Sequence, residues 1–303
     1  MFRPFALAAV VAAFALAVLG SWVRINGAGL TCPDWPLCHG ELIPVLRGGV
    51  VLEWSHRLVA FLEGFIVIGA LWTGWRARHR IAFIRPVLAF IAATFSVQVL
   101  LGGATVFLAN NPPSVVWHWA TAMLFLAGLT ALAILAILEP VAGVRPGGQS
   151  GLFPLLAGTA GAAFVAMCAG AYVSSSGDGL ACLTFPSCDG SWFGVTAGEA
   201  AQMTHRFAAG LVLLLATVAA FWAALATTPR VRIAALIGYT FVVLQILLGI
   251  ANVAWALPTD LREAHAANAV ATFIAYVSTL AIAALDGTAV RARNPARGRA
   301  QAV

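Results

Sequence analysis

Charge is what this sequence has least of. Only 9% of its 303 residues are Asp, Glu, Lys or Arg, whereas 61% are hydrophobic, and the mean hydropathy is +0.93. A soluble domain carries about 25% charged residues, so too few polar side chains remain here to cover a water-facing surface. That excludes a soluble enzyme or binding module and leaves an integral membrane protein. The net charge of +6 does not point to nucleic acid. The basic residues collect in particular loops, which is the pattern of membrane topology. The first apolar run, from Phe5 to about Val23, lacks the shortness and small-residue cleavage site of a signal peptide and is reused in an internal repeat, so it is expected to be a retained helix.

Helices of ~20 apolar residues cross a bilayer core. Hydropathy predicts eight, at roughly 5–24, 55–75, 82–108, 115–138, 152–174, 203–226, 231–255 and 265–285. An even number puts both termini on one side. Arg76, Arg78, Arg80 and Arg85, then Arg230 and Arg232, then Arg291, Arg293, Arg297 and Arg299 all fall on that side, which marks it as cytoplasmic. The opposite side receives two cysteine loops, "GLTCPDWPLCHG" (29–40) and "GLACLTFPSCDG" (179–190). In a bacterial cell membrane that face is oxidising. Cys32 with Cys38, and Cys182 with Cys188, are close enough in sequence to bridge within each loop. Cys168 is left over inside the fifth span and reads as a packing residue.

The loops belong to a larger duplication. "EWSHR" (53–57) aligns with "QMTHR" (202–206), "QVLLGGATV" (98–106) with "QILLGIANV" (245–253), and His118 with His265. A unit of four helices keeps its orientation when duplicated, so the halves are expected to be related by an axis along the membrane normal. The expected fold is therefore all-α and polytopic: eight transmembrane helices in two tandem four-helix bundles with pseudo-twofold symmetry. The halves span 1–142 and 151–290, a cytoplasmic tail covers 291–303, and the divide falls near the Pro- and Gly-rich stretch 139–151.

Six histidines are present. His39 and His79 lie in polar loops and read as solvated. His56, His118, His205 and His265 lie near the outer ends of the even-numbered spans, at equivalent places in the two repeats. An ionisable group in a span is costly and faces the protein interior; packing alone accounts for one such histidine, not for four in register. Two neutral imidazoles facing each other across a bundle suit the axial positions of a haem iron. Zinc would lack its third and fourth protein ligands within either half. Two haem sites are expected, one per half. Arg57 and Arg206, which directly follow two of the histidines, either meet haem propionates or snorkel to the interface.

The repeats differ at one conspicuous place. Glu53 precedes His56 by three positions and shares its helix face, whereas the second repeat has Gln202. A carboxylate beside a haem edge takes protons or stabilises positive charge; the alternative is a helix cap at the headgroup boundary. Together with Arg24, Asn26, Asp34, Trp35 and His39 in the first loop region, this contrast makes the N-terminal half the one equipped for chemistry and the C-terminal half a holder for an electron-transfer haem.

These motifs resemble the heme A synthase family of respiratory membranes. The resemblance covers nearly the whole chain: eight spans, duplicated halves, "EWSHR" with Glu53 and His56, then His118, "THR" with His205, and His265, together with the paired-cysteine loops. It implies an enzyme that oxidises the pyrrole 8-methyl group of heme O to a formyl group by successive hydroxylations, for terminal oxidases. It further implies that His205 and His265 ligate a resident heme b, that His56 and His118 bracket the substrate haem, and that Glu53 assists at the reacting side. Cys32 and Cys38 would lie over the substrate site, as a structural bridge or a redox-active pair, and Cys182–Cys188 would be a disulfide over the heme b. The implied partner is the protoheme farnesyltransferase that makes heme O; no nucleic acid is involved, and the electron acceptor is not specified. The main rival is a di-haem cytochrome b exchanging electrons with quinone. A transporter with parallel repeats would need charged residues near mid-membrane, where no pair is found.

Overall fold

In lipid every backbone N–H and C=O must find its partner within the segment, which forces helices on a chain this apolar. The computed structural model describes residues 1–140 and 151–293, and among these it has no strand, only two isolated bridges. Eight helices are long and apolar enough to cross a membrane: α1 (Phe2–Ile25), α2 (Gly49–Ala77), α3 (Ile84–Phe107), α4 (Pro112–Leu138), α5 (Leu152–Ser176), α6 (Ala197–Ala226), α7 (Pro229–Ala254) and α8 (Thr259–Arg293). The protein is a multi-pass membrane protein. The expected divide near 139–151 and tail residues Arg297 and Arg299 lie largely outside the described residues.

Three helices begin about two turns before the hydropathic windows. α2 starts at Gly49, α6 at Ala197 and α8 at Thr259, because polar residues in their first two turns, Glu53 to Arg57 in α2 among them, lower the hydropathy there. Side-chain caps fix the starts of α6 and α4. Thr196 caps α6 in a reciprocal capping box with Glu199. Asn111 accepts from the Ser114 N–H at 2.9 Å, with Pro112 just inside α4. The consequence for the site is direct: the four span histidines sit about two turns inside their helices, where the backbone is rigid.

Packing follows the duplication. The principal pairs are α1 with α2 and α3 with α4 in the first half, and α5 with α6 and α7 with α8 in the second. Small residues let backbones approach: Ala6, Ala9 and Ala13 on α1, and Ala216, Ala219 and Ala223 on α6, are buried at these contacts. The halves meet where α4 packs on α5 and α8, and α1 on α8. Arg24 and Ser174 occupy the same position in the two repeats, and Nη1 of Arg24 donates to Oγ of Ser174 at 2.5 Å. Equivalent positions that touch must lie beside the pseudo-axis.

Candidate functional site

Each of the four span histidines lies against a glycine of the preceding helix. A methyl carbon added to Gly20 on α1 would come 2.9 Å from Cε1 of His56 on α2, and one on Gly170 of α5 would come 2.9 Å from Cε1 of His205 on α6. The corresponding approaches are 3.4 Å between Gly102 and His118 and 3.2 Å between Gly249 and His265. A side chain at Gly20 or Gly170 would displace the ring. The imidazoles are thus held by the helix pairing itself, one pair in each half.

In the second half a hydrogen bond sets the tautomer of His205, and a glutamine supports His265. Nδ1 of His205 lies 2.9 Å from the carbonyl oxygen of Ala166, so Nδ1 carries the proton and Nε2 presents its lone pair. Gln245 is fixed in orientation: its Oε1 accepts from Asn268 Nδ2 at 2.7 Å, and its Nε2 donates to the His265 carbonyl at 3.1 Å. That amide also stands 3.1 Å from Nε2 of His265, whose Nδ1 is buried without a partner. In the first half Gln98 stands 3.3 Å from Nε2 of His118, but Thr121 replaces Asn268 and Oε1 of Gln98 is buried without a partner. Nδ1 of His56 and of His118 are unpartnered, as is that of His265, so of the four His205 alone has a partner at Nδ1.

These donors fit a haem. The ring centroids of His205 and His265 are 6.3 Å apart with an interplanar angle of 75°. Metal–imidazole bonds of about 2 Å from opposite faces of one iron leave ring centres about 6 Å apart. Among the described residues no cluster of three or more His, Cys, Asp or Glu could hold a metal ion; two imidazoles per half are the number a haem iron would take.

Both loops beside these sites carry a disulfide, Cys32–Cys38 and Cys182–Cys188, with Cα atoms 4.7 Å apart in each. The loops are fastened by the residues at which the repeats differ. Oε2 of Glu53 accepts from the Cys32 N–H at 2.8 Å and from Thr31 Oγ1 at 3.0 Å, and Oε1 pairs with Arg57 at 2.6 Å. In the second half Oε1 of Gln202 accepts from the Cys182 N–H at 2.5 Å while its amide donates to the Gly179 carbonyl at 2.9 Å. Glu53 and Gln202 therefore do the same fastening, and only Glu53 adds a charge.

Arg57 and Arg206 turn into the loops. Arg57 donates to the carbonyls of Asp34, Leu37 and Cys32, and Arg206 to those of Thr184, Pro186, Ser187 and Cys182. His39 is exposed but bonded within its own loop, with Nε2 2.9 Å from the Thr31 carbonyl oxygen. Trp35 of the first loop packs over Gly103 of α3, where an added methyl would come 3.0 Å from the indole ring. Cys168 is half-buried and free.

Sequence reasoning passed over two features. The glutamines before the second histidine of each half carry no motif of their own and are visible only by aligning "QVLLGG" with "QILLGI". Glu63 sits inside the hydrophobic run of α2, where hydropathy averages it away; it is 3% exposed, and Oε1 has no partner.

The model of a family of cytochrome oxidase assembly proteins, COX15-CtaA, matches residues 3–49 and 49–277. The chain belongs to this family. A heme A synthase from Bacillus licheniformis is 32% identical over 260 residues, covering 82% of this chain and 84% of its own length. Another from Halalkalibacterium halodurans is 32% identical over 206 residues, 65% of this chain and 66% of its own. A shorter similarity, 33% over 108 residues, relates 35% of this COX15-CtaA member to 23% of a protoheme IX farnesyltransferase from Halobacterium salinarum.

Proposed function

We propose that this protein is a heme A synthase, oxidising the pyrrole 8-methyl group of heme O to a formyl group through successive hydroxylations for terminal oxidase assembly. The observation that carries the reading is the His205–His265 pair, 6.3 Å between centroids; His56 and His118 occupy the equivalent positions of the first half, each against a glycine of the preceding helix. His205, with its tautomer set by Ala166, and His265, beside Gln245, would hold a resident heme b. A haem with both axial positions filled supplies one-electron transfer.

In the first half, His56 and His118 bracket the heme O substrate. His56 lacks the carbonyl partner that Ala166 gives His205, which suits a ligand that must release a haem after turnover. Glu53 keeps the Cys32–Cys38 loop over this site and places a carboxylate beside His56, where it assists the oxidation by orienting water or offsetting positive charge. Arg57 and Arg206, bonded to the loop carbonyls, hold the loops over the two sites, and Glu53 already offsets the charge of Arg57. The protein belongs in a bacterial inner membrane, with both termini cytoplasmic and the cysteine loops outside. Heme O is hydrophobic enough that direct transfer from the farnesyltransferase that makes it is the expected supply.

Haem extraction tests the reading. Purified protein supplied with heme O, a reductant and oxygen should yield new heme A. Unchanged heme O together with quinol-driven haem reduction would instead indicate a di-haem cytochrome b.

A further inference from the structure

One carboxyl group in the bilayer interior has no part in the arrangement described so far. Glu63 lies on the buried stripe of α2 that runs through Glu53, Val67, Ala70, Gly74 and Ala77. It follows His56 by seven residues, so it shares that histidine's face about two turns, or about 10 Å, deeper along the helix. It is 3% exposed, and Oε1 is buried without a hydrogen-bond partner. A buried polar group left unpaired in hydrocarbon is expensive, and such residues are retained for a ligand.

The duplication supplies a control. The offset that aligns Glu53 with Gln202 and His56 with His205 aligns Glu63 with Val212, which is 6% exposed. The helix opposite is alike in both halves. The antiparallel register that brings Gly20 to His56 puts Ala13 level with Glu63, and the one that brings Gly170 to His205 puts Ala163 level with Val212; both alanines are buried. The same fold is thus built with an aliphatic side chain at this position, so the carboxyl is not required for packing.

The two haems differ chemically in a matching way. Heme b carries a vinyl group where heme O carries a farnesylated side chain with a hydroxyl on its first carbon. We propose that Glu63 is a specificity-determining residue, accepting a hydrogen bond from that hydroxyl, and that Val212 receives the vinyl edge of heme b. The inference rests on the assignment of heme O to the first half. A site built to hydrogen-bond a substrate hydroxyl rejects an analogue lacking it far more strongly than a purely apolar pocket can, because the analogue leaves the site's own polar group unpaired. The farnesyl tail adds contact area, but an apolar wall cannot distinguish the hydroxylated carbon from a plain alkene.

The test is competitive loading of the intact protein, with its resident haem in place, by heme O and by protoheme, read as absorbance change and as the haem composition extracted afterwards. Wild-type protein should take heme O into the first half at least tenfold more tightly than protoheme. Glu63→Val, a substitution the second repeat already accommodates, should lower that ratio at least tenfold by weakening heme O and sparing protoheme. Glu63→Gln, whose amide oxygen still accepts, should keep most of the preference. Val212→Glu supplies a second readout: the extracted resident haem should shift toward heme O in cells that make both. An unchanged ratio in Glu63→Val, or equal loss of both haems, overturns the proposal. Failure of the wild type to make heme A, with the ratios behaving as described, would count against the synthase reading and leave the hydroxyl contact standing.

Discussion

Oε2 of Glu53 accepts a hydrogen bond from the backbone N–H of Cys32 at 2.8 Å. The same bond joins Gln202 to Cys182 in the other repeat, so an amide at this position fastens the loop as well as a carboxylate does. Glu53→Gln should therefore keep the loop, the fold and the haem content, and lower heme A formation at least tenfold. Extracted haem composition beside the absorbance spectrum checks both halves of that statement. Glu53→Ala, which leaves the Cys32 N–H unpaired, should also loosen the loop and speed its proteolysis.

The ligand assignment separates the halves. His205→Ala or His265→Ala should abolish the spectrum of the resident haem. His56→Ala and His118→Ala should leave that spectrum and remove heme O binding. Absorbance of the four purified variants, each after loading with heme O, decides it.

Asn268 and Thr121 set how firmly the second histidine of each half is supported. Asn268→Thr removes the donor to Gln245 Oε1 and leaves a buried acceptor unpaired, a loss of about 1–3 kcal/mol. The resident haem should then bind roughly tenfold or more weakly, seen as faster transfer to apomyoglobin. Thr121→Asn should slow haem release from the first half.

The first loop should respond to acid and the second should not. The N–H groups of Gly40 and His39 bond to the Asp34 carboxylate, each at 2.7 Å, and hold that carboxyl below its usual range. A lowered folded value means that the contribution is complete above the ordinary carboxyl value of about 3.9 and disappears as pH falls through the lower one. The second loop uses neutral Thr184, whose Oγ1 accepts from the Asp189 N–H at 2.7 Å. Hydrogen exchange between pH 2 and 6, on the order of the carboxyl range, should show protection lost in residues 29–40 and kept in 179–190.

The duplication, the eight spans and the four histidines were legible because each is a repeated local pattern. The starts of α2, α6 and α8 were not, since polar residues such as Glu53 to Arg57, or the turn that Thr196 caps, pull the hydropathy down while the helix continues through them. Arg57 and Arg206 follow histidines in sequence, but their direction depends on where a loop's carbonyls lie, and those are fixed only in three dimensions. Glu53 and Gln202 read as a contrast in chemistry and prove to share a structural task as well. Glu63 was hidden by its neighbours, although its alignment with Val212 would have exposed it.

The most direct test of the account is the absorbance spectrum of protein purified from cells that make heme O, followed by extraction of its haems. A bis-imidazole haem should survive His56→Ala and vanish in His205→Ala, and heme A should be present in the wild-type extract. Colourless protein, or a haem spectrum indifferent to His205, would contradict it.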